Sequence, residues 1–370
     1  MDDLASDPGR RTRSAHQLLP ALHHGDAVGN EALAWRRYLR AAGLASEIFA
    51  GTTDHEIAAE ARPLDEWPGE DPAAVTVFHY GPGSIVGRRA ARARGPLVLR
   101  YHNVTPASFL APYAAGPARL AAQAREELRG LAGRAALGLG VSEFNRRDLV
   151  ALGCPRTTVV PLALDLGAPE KSRSPVARRL YDDGRTNVLV VGRLAPNKRM
   201  EDVVGAFAAY QRLFDPGSRL LVVGSDRGLE GYGRRLRERV RRLRLERVVF
   251  LGHVDDDDLR ALYAGADVLL SLSEHEGFCA PLLEAMQFGV PVVAYDAGAV
   301  RETLGGAGVL LRDKRPELVA GILDEAIRDP ELRAAVTGGQ RSEIERWRAM
   351  DYPTLLLRSL EPILPGVSSP

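Results

Sequence analysis

The segment Ser273-Glu-His-Glu-Gly-Phe-Cys-Ala-Pro-Leu-Leu-Glu-Ala-Met286 sets two carboxylates, Glu276 and Glu284, eight positions apart across the junction of a loop and a helix. The apolar run before it, Ala266 to Leu272, has the length and composition of a buried parallel strand, and Pro281 opens a helix that runs to Phe288. Glu276 then falls on the loop and Glu284 on the helix. The amides of Gly277, Phe278 and Cys279 come free where that helix starts, and there the helix dipole favours a phosphate. A lone Glu in such a place would be a helix cap or a solvated side chain. Two of them bracketing an anion-binding turn suit a ligand that carries both hydroxyl and phosphate groups, as a sugar nucleotide does.

A second set of polar residues stands at Gly192-Arg-Leu-Ala-Pro-Asn-Lys198-Arg199, after the strand Asn187–Gly192 and before a helix that begins near Glu201. Arg193 offers a planar fork of donors and Lys198 a compact charge, a pair fitted to a diphosphate whose negative charge grows as it departs. Taken alone, the motif is equally an ordinary basic loop. Gly224-Ser-Asp and Gly252-His253-Val254 end the next two strands and could present backbone groups to a base or ribose, although glycine at such turns is usually structural.

In the first half, Arg100-Tyr-His102-Asn103 follows a buried strand and aims His102 and Asn103 into any cleft at its end. Arg100 lies in an otherwise apolar strand and needs a partner once buried, most simply a carboxylate or the substrate. Near the start, His23-His24-Gly25-Asp26-Ala-Val-Gly29-Asn30-Glu31 joins a strand to a helix, with Asn30 suited to be its N-cap. Gly25 and Gly29 permit close backbone approach, but their spacing is not the Gly-x-Gly-x-x-Gly dinucleotide pattern.

Positioning these groups falls to two series of alternating short apolar runs and helical patterns, which predict parallel sheets covered by helices on both faces. The first has strands near His16–Leu22, Glu47–Ala50, Val75–Tyr80, Leu97–His102, Ala136–Val141 and Thr158–Leu162. The second has strands at Asn187–Gly192, Arg219–Gly224, Val248–Gly252, Asp267–Leu272, Pro291–Tyr295 and Gly308–Leu311. Two Rossmann-like domains are expected, at 1–170 and 185–350, joined by a linker over 171–184 where periodicity fails. A last helix over 351–365 could cross back onto the first domain. Ligands in such sheets bind beyond the carboxyl ends of strands, where all the motifs above fall.

Three ordered motifs carry a family resemblance: Gly192-Arg-Leu with Asn197-Lys198, the Glu276 to Glu284 segment, and Gly289-Val-Pro-Val-Val-Ala294 followed by Gly298-Ala-Val-Arg-Glu302. With these the second domain resembles the donor-binding domain of retaining GT-B glycosyltransferases, family four in the usual classification. The resemblance implies a GT-B α/β fold of two facing Rossmann-like domains with a central cleft. It also implies transfer of a sugar from a nucleotide diphosphate sugar to a hydroxyl acceptor. By that resemblance Arg193 and Lys198 hold the donor diphosphate, Glu284 the ribose hydroxyls and Glu276 the transferred sugar, while His102 stands near that sugar. Gly25, Asp26, Asn30 and Asn103 border the acceptor, Gly192, Gly224, His253, Val254, Gly277, Phe278 and Cys279 line the donor, and Glu302 is structural. Cys279 departs from the pattern, which often has glycine there.

Composition narrows the classes. At 370 residues and 45% apolar the chain is sized for two domains, and a formal charge of +1 gives no field that would draw it to nucleic acid. The two cysteines, Cys154 and Cys279, lack neighbours at metal-ligand spacing. No Asp-x-Asp metal motif falls at a strand end, since Asp255–Asp258 reads as a helix cap. No metal or other cofactor is expected. Neither an apolar leader nor a membrane-spanning run occurs, so a cytoplasmic protein with at most peripheral membrane contact is expected. A basic cluster at Arg88, Arg89, Arg92 and Arg94 could meet a phosphorylated or lipid-linked acceptor at a membrane surface, and the acceptor in general is expected to be a glycan or lipid-linked. The arginine-rich stretch 234–247 reads instead as a surface helix with an apolar stripe of Leu236, Val240 and Leu243. Two other functions stay open: a GT-B enzyme acting on the nucleotide sugar itself, such as an epimerase, and a non-catalytic sugar-nucleotide-binding partner subunit.

Overall fold

The computed structural model describes residues 13–364 apart from 24, 82–83, 165, 168–173, 175–180 and 182. Most of the expected linker over 171–184, and position 365 at the end of the expected last helix, lie outside the described residues.

Seven strands form the first sheet: β1 (Ala15–Leu22), β2 (Ile48–Thr53), β3 (Arg62–Pro63), β4 (Val75–His79), β5 (Leu97–Tyr101), β6 (Leu137–Gly140) and β7 (Thr157–Val159). Between them run α1 (Ala27–Ala41), α2 (Ile85–Ala90), α3 (Ala107–Leu110), α4 (Ala115–Arg134) and α5 (Glu143–Ala151). The second sheet holds β8 (Asn187–Val191), β9 (Arg219–Val223), β10 (Val248–Gly252), β11 (Val268–Ser271), β12 (Val292–Tyr295) and β13 (Val309–Leu311). Its helices are α6 (Met200–Leu213), α7 (Glu230–Arg242), α8 (Asp256–Ala264), α9 (Ala280–Gln287), α10 (Val300–Leu304), α11 (Pro316–Arg328) and α12 (Pro330–Arg348); α13 (Tyr352–Leu360) closes the described chain.

Both sheets are parallel, with strand orders β3-β2-β1-β4-β5-β6-β7 and β10-β9-β8-β11-β12-β13. Each order reverses once, at β1/β4 and at β8/β11, and ligands in open α/β sheets settle at such reversals. The near-continuous apolar runs follow from cover on both faces: every residue of β4, β5 and β6 is buried. Residues of α13 pack into the first sheet's core, where Leu356, Leu357 and Leu360 join Trp35, Leu39, Val75 and Val77.

Two local expectations are corrected. Asn30 is not the cap of α1: Asp26 is, with extended backbone and a carboxylate that accepts from the Gly29 amide at 3.4 Å. The helix therefore starts earlier than the apolar periodicity suggests, Asn30 becomes a first-turn residue, and Glu31 turns into the core. In α7 the apolar stripe is Tyr232, Leu236 and Val240, while Leu243 sits at the C-cap with 43% of its surface exposed. Asp255 caps α8 as expected, accepting from the Asp258 amide at 2.8 Å.

Candidate active site

The loops after β8 and β11 are tied together. The Asn197 side chain donates to the His275 carbonyl at 3.1 Å, and the Glu274 amide donates to the Asn197 carbonyl at 2.8 Å. This brings Lys198 Nζ to 2.6 Å from Glu276 Oε1, with only 18% and 8% of the two side chains exposed. Burial works against the Lys198 charge, but the charge and hydrogen bond of Glu276, with Cys279 adding to them, together hold the ammonium pKa above the ordinary lysine value. Gly192 lies beneath the ammonium with φ 145°, a conformation open to glycine and rare for other residues. A Cβ on Gly224 would come within 2.0 Å of the Gly192 carbonyl oxygen, so these two strand ends touch backbone to backbone.

Cys279 caps α9 in the left-handed region at φ 73°, the position at which glycine is the easier residue. Its buried thiol is pushed well above the usual cysteine value, first by burial and then by the Glu276 charge. Among the described residues nothing accepts a hydrogen bond from the amides of Gly277, Phe278 or Cys279. These three amides directly follow Glu276, which holds the Lys198 ammonium, and donors of that kind beside a cation suit a phosphate.

His102 faces this loop from the first sheet. A Cβ on Gly277 would lie 2.6 Å from the His102 carbonyl oxygen and 2.5 Å from Asn103 Cβ, so glycine is what lets the two halves meet. Behind His102, Arg100 finds the carboxylate its burial demanded: Glu31, held by Nε at 2.9 Å and Nη2 at 2.5 Å. Glu31, His79 and His102 place three ligand-type atoms within 4.8 Å of one another. Arg100 binds both Glu31 oxygens, however, and its charge opposes a cation there.

Asn103, at φ 103°, spans the junction. It donates to Asn145 Oδ1 at 2.8 Å and accepts from His275 Nε2 at 2.7 Å. His275 lies within the segment read for its carboxylates, yet sequence spacing gave it no role. Ser142 Oγ also donates across the junction, to the Gly277 carbonyl at 2.7 Å.

Glu284 projects from α9 to the hydroxyl of Tyr263 at 2.6 Å, a partner with no local sequence signal. Burial raises the Glu284 pKa, against the hydrogen bond from Tyr263. Both line a cavity of about 1050 Å³ between the halves, together with Gly25, Asn30, Arg37 and Arg260. Gly25 stands against α8, since a Cβ there would be 3.6 Å from Asp256 Oδ1. Asp26 is engaged as the cap of α1. His253 is exposed at the end of β10 with Val254 half-buried beside it. Arg193 is exposed and donates to the Arg227 carbonyl at 2.9 Å. The structure thus gathers Gly192, Lys198, Glu276 to Cys279, His102 and Asn103, with Glu284 on the cavity beyond; Arg193 and His253 are exposed and do not line that cavity.

The family model described as "Glycosyl transferases group 1" matches residues 177–341. A GDP-mannose-dependent alpha-mannosyltransferase of Mycobacterium tuberculosis is 32% identical over 275 residues, 71% of this chain and 68% of that protein. O-antigen chain mannosyltransferase B of Escherichia coli is 30% identical over 213 residues, 55% of this chain and 54% of that protein. Among solved structures, Anabaena HepE in complex with UDP and glucose is similar with a TM-score of 0.69 at 22% identity, covering 94% of this chain and 100% of that one. Sucrose-phosphate synthase from Thermosynechococcus elongatus gives 0.71 at 21% identity, covering 96% and 100%. These structures share the GT-B fold expected from the sequence.

Proposed function

Because this chain belongs to the glycosyl transferases group 1 family, we propose that it moves a sugar from a nucleotide diphosphate donor to a hydroxyl acceptor with retention of anomeric configuration. The observation that carries this reading is the Lys198–Glu276 pair at the β8/β11 reversal, beside three free amides and opposite His102. Lys198, the start of α9 and Arg193, released from the Arg227 carbonyl, take the diphosphate, and Glu284 takes the ribose hydroxyls. Glu276 contacts hydroxyls of the transferred sugar. The bond from the anomeric carbon to the diphosphate breaks, the acceptor oxygen bonds on the same face, and its proton passes to a diphosphate oxygen. No enzyme nucleophile is assigned. The work is positioning and electrostatics, with cationic side chains and amides in the place a metal ion would otherwise take.

The half that begins the chain, with Gly25, Asn30 and Asn103 at its cleft edge, is the acceptor side, and 185–350 the donor side. GDP-mannose is the first donor to try, because curated relatives are named for it. Polysaccharide or glycoconjugate synthesis in the cytoplasm is the setting this chemistry fits, with glycan or lipid-linked acceptors; no described helix is long and apolar enough to cross a membrane.

The test is thermal shift and donor hydrolysis across GDP-, UDP-, ADP- and TDP-sugars, with and without EDTA, beside Lys198→Ala and Arg193→Ala. One nucleotide should stabilise the wild type, fail with Lys198→Ala and ignore EDTA. Silence with every nucleotide would overturn the reading, stabilisation without donor hydrolysis would favour a non-catalytic sugar-nucleotide-binding subunit, and loss on EDTA would overturn its metal independence.

A further inference from the structure

His102 is reached from behind by a chain of hydrogen bonds whose direction is fixed at its far end. Gln17, fully buried in β1, donates from Nε2 to the Ala32 carbonyl of α1 at 2.9 Å. A carbonyl only accepts, so the amide orientation is set and Gln17 Oε1 must face the other way as an acceptor. Oε1 lies 2.8 Å from His79 Nε2, which therefore carries the proton. His79 is fully buried and its pKa is lowered to about 3 by burial and then by Arg100, so it is neutral and its Nδ1 is a bare lone pair. That lone pair faces His102 Nε2 at 3.4 Å, and Glu31 Oε2 faces the same nitrogen at 3.5 Å. Two acceptors on one nitrogen require a proton on it. His102 is itself held well below the usual histidine range by burial, Arg100 and His79, so one ring proton is all it has. Its Nδ1, without a protein partner among the described residues, is left as an acceptor, and 13% of the side chain reaches solvent.

We propose that Gln17 and His79 are positioning residues that lock His102 in the Nε2–H tautomer, so that its open nitrogen accepts a hydrogen bond from a carbohydrate hydroxyl and cannot donate one to a phosphate oxygen. This rests on His102 facing the substrate, as the reading of the site above has it. It assigns His102 to a sugar or acceptor hydroxyl instead of the diphosphate, and leaves the diphosphate to Lys198 and the amides of α9.

The experiment is two-bond proton–nitrogen correlation on histidine-¹⁵N-labelled protein, at neutral pH and without donor, for wild type and Gln17→Leu, with steady-state kinetics of both. His102→Gln supplies the resonance assignment. Wild-type His102 should show a protonated Nε2 and an unprotonated Nδ1. In Gln17→Leu, His79 loses its anchor, both rings should show mixed tautomers, and kcat should fall about 3- to 10-fold, the value of one hydrogen bond, with the KM for donor unchanged. A wild-type His102 protonated on Nδ1 would overturn the proposal, as would a Gln17→Leu protein with unchanged ring signatures or unchanged kcat. The spectra need no turnover, so failure of the transferase reading would show separately, as absence of activity in a wild type with the expected tautomer.

Discussion

Glu302 of α10 accepts from the Glu143 amide through both carboxylate oxygens, at 2.7 and 2.9 Å, so a side chain of the second half caps helix α5 of the first. The helix also has its own cap, Ser142, whose hydroxyl accepts from the Asn145 amide at 3.1 Å and donates to the Gly277 carbonyl at 2.7 Å. Helix α5 is thereby held at the loop that carries Glu276, and the resemblance-based assignment of Glu302 to structure acquires a physical content: it fixes one half against the other.

Glu302→Ala should leave nucleotide affinity unchanged, since the donor residues all lie on one side of this contact, and should slow turnover. A cap of this type contributes about 1 kcal/mol, so kcat should fall roughly 5-fold, and the difference from wild type should shrink with added salt because the contact is exposed. Calorimetric binding of the nucleoside diphosphate alongside kcat measures both. A weakened nucleotide Kd with intact kcat would contradict the role.

Gly298→Ala tests the loop from beneath. Gly298 has φ 59°, and a Cβ there would stand 2.4 Å from the Glu276 carbonyl oxygen and 2.8 Å from its nitrogen. The Glu276 carbonyl also accepts from the Ala299 amide at 3.0 Å, so the two loops cannot simply part. The substitution should cost about 1–3 kcal/mol of stability through backbone strain and displace Glu276, lowering turnover on the order of 100-fold, as a misplacement of about 1 Å can. Thermal unfolding with kcat on the folded fraction decides it; activity within twofold of wild type would show that Glu276 tolerates movement.

What was legible in the sequence and what was not divide along the same physical line. Strands β4, β5 and β11 announce themselves because cover on both faces demands a mostly apolar run, broken only by Thr76, His79, Arg100 and Ser271, and the Glu276 segment does so because a helix opened by Pro281 after a strand is a local event. The start of α1 misleads because Asp26 and Asn30 are both good caps and only backbone geometry chooses between them. Tyr263 with Glu284, His275 with Asn103, and Glu143 with Glu302 are separated by 21, 172 and 159 positions, and no spacing rule reaches that far. Arg100 is intermediate: its burial called for a carboxylate, but only the fold shows that Glu31 supplies it.

Cys279 and Cys154 should both resist alkylation in the native protein. Both are buried and both thiol pKa values are raised, foremost by burial, with the Glu276 charge adding to it at Cys279; the thiolate is the nucleophile. Mass spectrometry after iodoacetamide near pH 8 should find neither labelled in native protein and both labelled in urea. Rapid native labelling of Cys279 would mean that its loop opens. Cys279→Gly should preserve activity, because glycine holds φ 73° without the strain that a side chain bears.

Glu284 gives a pH dependence whose sign follows from its raised pKa. Burial holds that pKa above the ordinary value of 4.5, so between the ordinary and the raised value the folded protein keeps a proton that the unfolded chain has released. The folded state then binds more protons, and stability falls as pH rises through that window. The contribution is fully present below the ordinary value and lost above the raised one. Glu284→Gln keeps a carbonyl oxygen for Tyr263 and removes the titration. The melting temperature of Glu284→Gln relative to wild type should therefore climb as pH increases from about 4 to 8, while nucleotide affinity falls because the ribose has lost its carboxylate. A difference in melting temperature that stays flat across that range would mean Glu284 is ionised throughout, with Tyr263 and solvent together offsetting its burial.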